Sequence, residues 1–128
     1  MRLIFCGSGG FGLPTLEALV RAGHEVATVI TQPPRRAGRG KGVRPTPVAE
    51  AAEELGLPVR PVEDINAPAE VAALKALAAD VTVVVDFGQI IRKAARNAAR
   101  LRSINLHGSV LPALRGAAPV NWAIIRGY

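Results

Sequence analysis

The sequence predicts an α/β fold: a Rossmann-like, doubly wound and mostly parallel sheet with helices on both faces. Two observations lead there. Arg2 to Cys6 is a short apolar run that stops at Gly7, as a buried first strand does. Leu13 to Ala22 then carries apolar residues at helical spacing, and Glu25 to Thr31 reads as a second strand. A strand, a glycine-rich turn, a helix and a strand in that order imply a parallel pair joined by a right-handed crossover. The second observation lies further on. Asp80-Val81-Thr82-Val83-Val84-Val85 is a β-branched run, the pattern of a central strand buried on both faces.

The remaining elements follow in order. Leu13, Leu16, Leu19 and Val20 face inward on the first helix, Pro14 sits in its first turn, and Gly23 stops it. Gln32 to Pro45 is rich in Pro, Gly and Arg and has no hydrophobic period, so an exposed, mobile loop is expected. Thr46 is an N-cap with Pro47 at the first helical position, and Val48 to Leu55 is a helix ended by Gly56. Leu57 to Val62 is a short extended piece. Asn66-Ala67-Pro68 starts a helix that runs to about Ala78, with Val71, Leu74 and Leu77 inward. Asp86 to Ile91 leaves the carboxyl end of the β-branched strand, where open α/β sheets bind ligands. Arg92 to Leu101 is alanine-rich and helical by propensity, which would line up Arg92, Arg96 and Arg100 as one basic stripe. Ser103 to His107 is a short strand. Pro119 to Ile125 is a last helix, with Trp122 and Ile125 on one side. No repeat or inner linker interrupts the chain, so residues 1–128 form a single domain.

Composition narrows the classes. With 128 residues and 49% hydrophobic content, the chain can build a core. Its one cysteine, Cys6, excludes an internal disulfide and fits a reducing cytosol. No apolar run approaches a membrane span, and the first residues lack the regions of a signal peptide, so a cytoplasmic location is expected. Cys6 and two histidines make no metal-ligand cluster. The net charge is +6; Arg35, Arg36, Arg39, Lys41 and Arg44 fall in one loop, and Arg92, Lys93, Arg96, Arg100 and Arg102 in one later segment. Such a cluster points either to a polyanionic partner or to a solubilising surface.

Two stretches carry candidate chemistry. In Ser103-Ile104-Asn105-Leu106-His107-Gly108, side chains two apart on a strand share a face, so Asn105 and His107 project together. An amide donor beside a group that exchanges a proton near neutral pH suits a carbonyl carbon becoming a tetrahedral oxyanion. Taken alone, the pair fits a polar turn at least as well. The second stretch, Gly7-Ser8-Gly9-Gly10-Phe11-Gly12, matches the dinucleotide fingerprint in its proper place after a strand. That motif also wants an acid at the end of the second strand, where Ile30-Thr31-Gln32-Pro33-Pro34 stands instead. Arg35 and Arg36 are suited to a 2′-phosphate, which keeps an NADP-binding Rossmann oxidoreductase as a rival.

The words around Asn105 and His107 decide more. Asn105-Leu106-His107-Gly108-Ser109-Val110-Leu111-Pro112, with Leu114-Arg115-Gly116-Ala117-Ala118-Pro119 after it, resembles the signature of the 10-formyltetrahydrofolate-dependent formyltransferases. Gly7-Ser8 through Phe11-Gly12-Leu13-Pro14 resembles that family's own turn after its first strand. The resemblance covers essentially the whole chain. It implies Asn105 and His107 as catalytic residues, no metal, and 10-formyltetrahydrofolate as co-substrate. That co-substrate would lie against Phe87, Gly88, Gln89, Ile90, Ser109, Leu111 and Pro112.

Thr31-Gln32-Pro33 and Ala37-Gly38-Arg39-Gly40-Lys41 resemble the branch of the family that acts on initiator methionyl-tRNA. That implies Arg35, Arg36, Arg39, Lys41 and Arg44 as tRNA-binding residues and a translation-initiation role. A small amine such as glycinamide ribonucleotide is the alternative acceptor. The family pattern has a small residue where Asp86 stands, and Leu-Pro where Ile91-Arg92 stands; losing that proline frees the backbone. The family's catalytic aspartate, which pairs with the histidine, has no match among Asp64, Asp80 and Asp86. The resemblance therefore implies a formyltransferase N-terminal domain incomplete at its C-terminal end, with the C-terminal β-barrel absent. It further implies inactivity of residues 1–128 alone and a monomeric full-length enzyme.

Overall fold

The computed structural model describes residues 1–36 and 42–128. Five parallel strands make the main sheet: β1 (Arg2–Gly7), β2 (Glu25–Thr31), β5 (Val59–Pro61), β6 (Val81–Val85) and β7 (Ser103–Leu106). Their spatial order is β5-β2-β1-β6-β7. The chain builds outward from β1 on one side, then returns and builds outward on the other. This is the doubly wound order, and it opens a crevice beyond the ends of β1 and β6. Two short strands, β3 (Arg35–Arg36) and β4 (Val43–Arg44), pair antiparallel as a separate ribbon. The helices are α1 (Leu13–Arg21), α2 (Pro47–Glu54), α3 (Pro68–Ala76), α4 (Lys93–Arg96) and α5 (Pro119–Arg126).

The period of two along β1 divides the core. Leu3 and Phe5 point to one face with Val26, Val29, Val81, Val83 and Val85, where Leu16 of α1 and Val48 and Ala52 of α2 cover them. Ile4 and Cys6 point to the other face, under Val71 and Leu74 of α3 and Ala95 of α4. Burial alone pushes the Cys6 thiol up to about 12, so it stays a neutral apolar filler. Thr46 caps α2 through its hydroxyl, which accepts from Ala49 N–H at 3.1 Å.

Three expectations change. The 32–45 segment carries the β3–β4 ribbon, so it is partly regular. The Arg92–Leu101 helix shrinks to the four residues of α4. Propensity loses there to tertiary hydrogen bonds, because Arg100 N–H donates to Ala79 O at 3.0 Å and Leu101 N–H to Asp80 O at 2.7 Å. Those bonds bend the chain toward β7. The Arg92-Arg96-Arg100 stripe does not form, and Arg100 instead pairs with Asp80 at 3.0 Å. As expected, Asn66-Ala67-Pro68 opens α3, whose N-cap is Ala67 without a side-chain bond.

Candidate active site

The loops after β1, β2, β6 and β7 leave the same end of the sheet. Ser8 stitches the first three together. Its hydroxyl donates to Phe87 O at 2.7 Å and accepts from Gln32 N–H at 3.1 Å. The Ser8 and Gly9 N–H groups both donate to Asp86 O, at 2.9 and 3.4 Å. Asp86 sits at φ 50°, a left-handed conformation that Asp tolerates better than most residues. Its exposed carboxylate lies so close to Gly9 that a Cβ there would collide with it.

The loop after β6 is held from beneath by two side-chain amides. Gln89 accepts from Ile65 N–H at 2.9 Å and donates to Val62 O at 2.8 Å and to Gln32 Oε1 at 3.0 Å. Both of its amide protons are thereby used. Asn66 donates to Ile90 O at 2.7 Å and accepts from Arg92 N–H at 2.7 Å. Phe87 is buried under the loop, among the residues that face α3 and α4.

Asn105 lies on β7 opposite Val84, exposed and with no side-chain hydrogen bond among the described residues. His107 follows one residue past the strand and is half-buried. Its Nδ1 lies 2.9 Å from Ser109 Oγ, and that hydroxyl donates to Ala113 O at 2.8 Å and more distantly to Leu114 O at 3.3 Å. A hydroxyl has one proton. With that proton on a carbonyl, His107 Nδ1–H is the donor to Ser109, and in the neutral ring the lone pair then sits on Nε2. Gly108 lets the chain fold close to α5, since a Cβ there would stand 3.0 Å from Pro119 Cγ.

A cavity of about 640 Å³ opens beside the loops after β1, β2 and β6, lined by Ser8, Gly9, Gln32, Thr46, Asp86 and Gly88 among others; Asn105 and His107 of the β7 end are not in its lining. The ribbon adds Arg35, Arg36 and Arg44 to its wall. Arg35 stands directly opposite Arg44 across the ribbon, a like-charge pair that is unfavourable unless an anion neutralises it.

A family model described as formyl transferase matches residues 1–128. The chain belongs to the formyl transferase family. It is 53% identical over 128 residues to the methionyl-tRNA formyltransferase of Rhizorhabdus wittichii, covering 99% of this chain and 41% of that relative. The Gluconobacter oxydans methionyl-tRNA formyltransferase is 52% identical, with 99% and 42% covered. The chain thus spans about two-fifths of the length of these curated relatives. Among solved structures, phosphoribosylglycinamide formyltransferase from Bacillus halodurans superposes with a TM-score of 0.75 at 24% identity, over 100% of this chain and 66% of that one. Formyltetrahydrofolate deformylase from Burkholderia mallei gives 0.63 at 22% identity, over 98% and 43%. These two share the fold.

Within this formyl transferase segment, the expected residues fall at one end of the sheet. Asn105 and His107 stand at the β7 edge, and Phe87, Gly88, Gln89 and Ile90 lie in the adjoining loop. The side chains of Gln89 and Ser109 are committed to internal bonds, so what they offer a ligand is main chain. Leu111 is exposed, and the Leu111–Pro112 bond is cis. Arg35, Arg36 and Arg44 meet at the cavity, whereas Arg39 and Lys41 lie outside the described residues. Among the described residues, no group of three or more His, Cys, Asp or Glu side chains is placed to hold a metal. No helix among them is long and apolar enough to cross a membrane. Gln32 and Asn66 were not expected at the site. Their signal is faint: a lone amide in a loop says nothing until the fold shows what it reaches.

Proposed function

We propose that this segment carries the catalytic face of a cytoplasmic enzyme that transfers a formyl group from 10-formyltetrahydrofolate to the α-amine of initiator methionyl-tRNA. The observation that carries the reading is the β7 end, where Asn105 is free and the His107 ring is turned by Ser109 so that Nε2 is available. The amine nitrogen attacks the formyl carbon and forms a C–N bond. The Asn105 amide donates to the oxyanion that develops. His107 Nε2 takes the proton that the amine loses and returns it to N10 of the folate as the C–N10 bond breaks. Tetrahydrofolate and formylmethionyl-tRNA are the products, and no proton is left over. The Asp86–Ile91 loop supplies the folate-facing main chain, with Ser109, Leu111 and Pro112 on its other side. A carboxylate to pair with His107 and a C-terminal β-barrel are part of this proposal for the full-length enzyme, since the chain spans about two-fifths of the length of its curated relatives.

The arginine ribbon supports tRNA as acceptor over a small amine. Phosphates would relieve the repulsion between the facing Arg35 and Arg44, and guanidinium groups bind phosphate oxygens two at a time. The NADP alternative is disfavoured by Asp86. In a dinucleotide fold the second glycine of the fingerprint lets a pyrophosphate approach. Here a carboxylate lies against that glycine, Gly9, and the Ser8 and Gly9 amides are spent on Asp86 O. Titrating the full-length enzyme with a folate analogue and with NADPH separates the readings. Folate binding without NADPH binding is expected; tight NADPH binding without folate binding would overturn the proposal.

A further inference from the structure

We propose that Gln89 is a positioning residue that couples acceptor binding to donor binding, through its hydrogen bond to Gln32. This rests on the formyl-transfer reading above and names the device that ties its two half-sites together. Gln32 is the first residue after β2 and opens the segment that carries the arginine ribbon. Its main chain is held by Ser8, and its side chain lines the cavity. Gln89 belongs to the loop assigned to the folate. One bond of 3.0 Å, from Gln89 Nε2 to Gln32 Oε1, joins the two.

Two further observations show that the link is built rather than incidental, and a third marks off the part of the loop outside it. Gln89 is anchored on the far side by Ile65 N–H and Val62 O, so it is a fixed post. Gln32 packs over Gly88, where a Cβ would stand 2.8 Å from Gln32 Nε2 and where φ is +92°, so this position is adapted to glycine twice over. Asn66 then clamps the outer half of the same loop, using the Arg92 N–H that a proline there would lack. A displacement of Gln32 when phosphates engage the ribbon therefore reaches the Gly88–Gln89 main chain directly. Asn66 holds the loop without touching Gln32, so it supports the donor side alone.

The test measures binding of an unreactive folate analogue to the full-length enzyme, with and without methionyl-tRNA. The ratio of the two affinities is the coupling factor, and it is the same whichever ligand is added first. Gln89→Leu should shrink that factor by about two- to tenfold, the worth of one neutral hydrogen bond. Gln32→Leu, which leaves the Gln89 anchors in place, should do the same and covers the case in which the Gln89 variant fails to fold. Asn66→Ala should weaken folate binding equally with and without tRNA, leaving the factor unchanged. A purely structural role would lower the melting temperature of the Gln89 and Gln32 variants without moving the factor. A coupling factor of one in the wild type, or one unchanged by Gln32→Leu, overturns the proposal. Absence of folate binding altogether would instead overturn the formyl-transfer reading on which it rests.

Discussion

His107, Ser109 and Asn105 form the smallest unit of the account. Asn105 lies on β7 and His107 one residue past its end, and the sequence leaves the imidazole's partner unstated. Only the fold shows that Ser109, two residues on, reaches back to Nδ1 while giving its own proton to Ala113 O. The choice of tautomer is therefore made locally. Replacing Ser109 with Ala should lower kcat of the full-length enzyme by about two- to tenfold, as for loss of one neutral hydrogen bond. It should leave KM for the folate nearly unchanged, and steady-state kinetics across pH checks both. A rise in folate KM at constant kcat would make Ser109 a ligand group instead. Asp80 gives a second prediction at this scale. The Arg2 N–H first, and then the Arg100 side chain, hold its carboxyl below the usual carboxylate range. A lowered folded-state pKa contributes stability that is present above the ordinary carboxylate value and lost as pH falls through the lowered one. Asp80→Asn should thus be less stable than wild type near neutral pH, and denaturant midpoints should converge as the pH falls into that acid range.

At the level of elements, legibility followed the kind of signal. The β1-α1-β2 opening and β6 are strongly patterned and were found nearly residue for residue. The alanine-rich stretch after Arg92 misleads because propensity is a weak prior. Two main-chain bonds from Arg100 and Leu101 to the Ala79–Asp80 turn outweigh it and steer the chain into β7. Asp86 and Arg92, where the resemblance predicts a small residue and a proline, each have a structural role in the loop after β6. Asp86 accepts the left-handed turn, and the Arg92 N–H is taken by Asn66. The β3–β4 ribbon was not legible, since two-residue strands leave no period to read. Its function is open to measurement. If Arg35 and Arg44 each meet a tRNA phosphate, the double change to Ala should reduce the slope of log K against log salt by about one to two units. A double variant with unchanged tRNA affinity and slope would assign the ribbon to solubility instead.

The whole molecule is a doubly wound sheet with both faces of its middle strands covered and its β7 side open. Ile104 and Leu106 are 59% and 49% exposed there, and Trp122 and Ile124 of α5 are 48% and 75% exposed. The sequence predicted Trp122 and Ile125 as one side of a helix, but periodicity cannot say whether anything covers that side. An exposed apolar edge of this kind invites association. Residues 1–128 produced alone should therefore self-associate, seen as a concentration-dependent mass by light scattering, and should transfer no formyl group. Turnover comparable to the full-length enzyme would show that the catalytic face is complete without further residues. In the full-length enzyme, formyl transfer from 10-formyltetrahydrofolate to methionyl-tRNA is compared for wild type, Asn105→Ala and His107→Ala. The account predicts a loss of about 10²–10³ in kcat for Asn105→Ala, as for removal of one oxyanion donor. For His107→Ala it predicts about 10²–10⁴, as for loss of a proton-transfer group, with folate binding retained in both. Two variants that turn over at wild-type rate would contradict it.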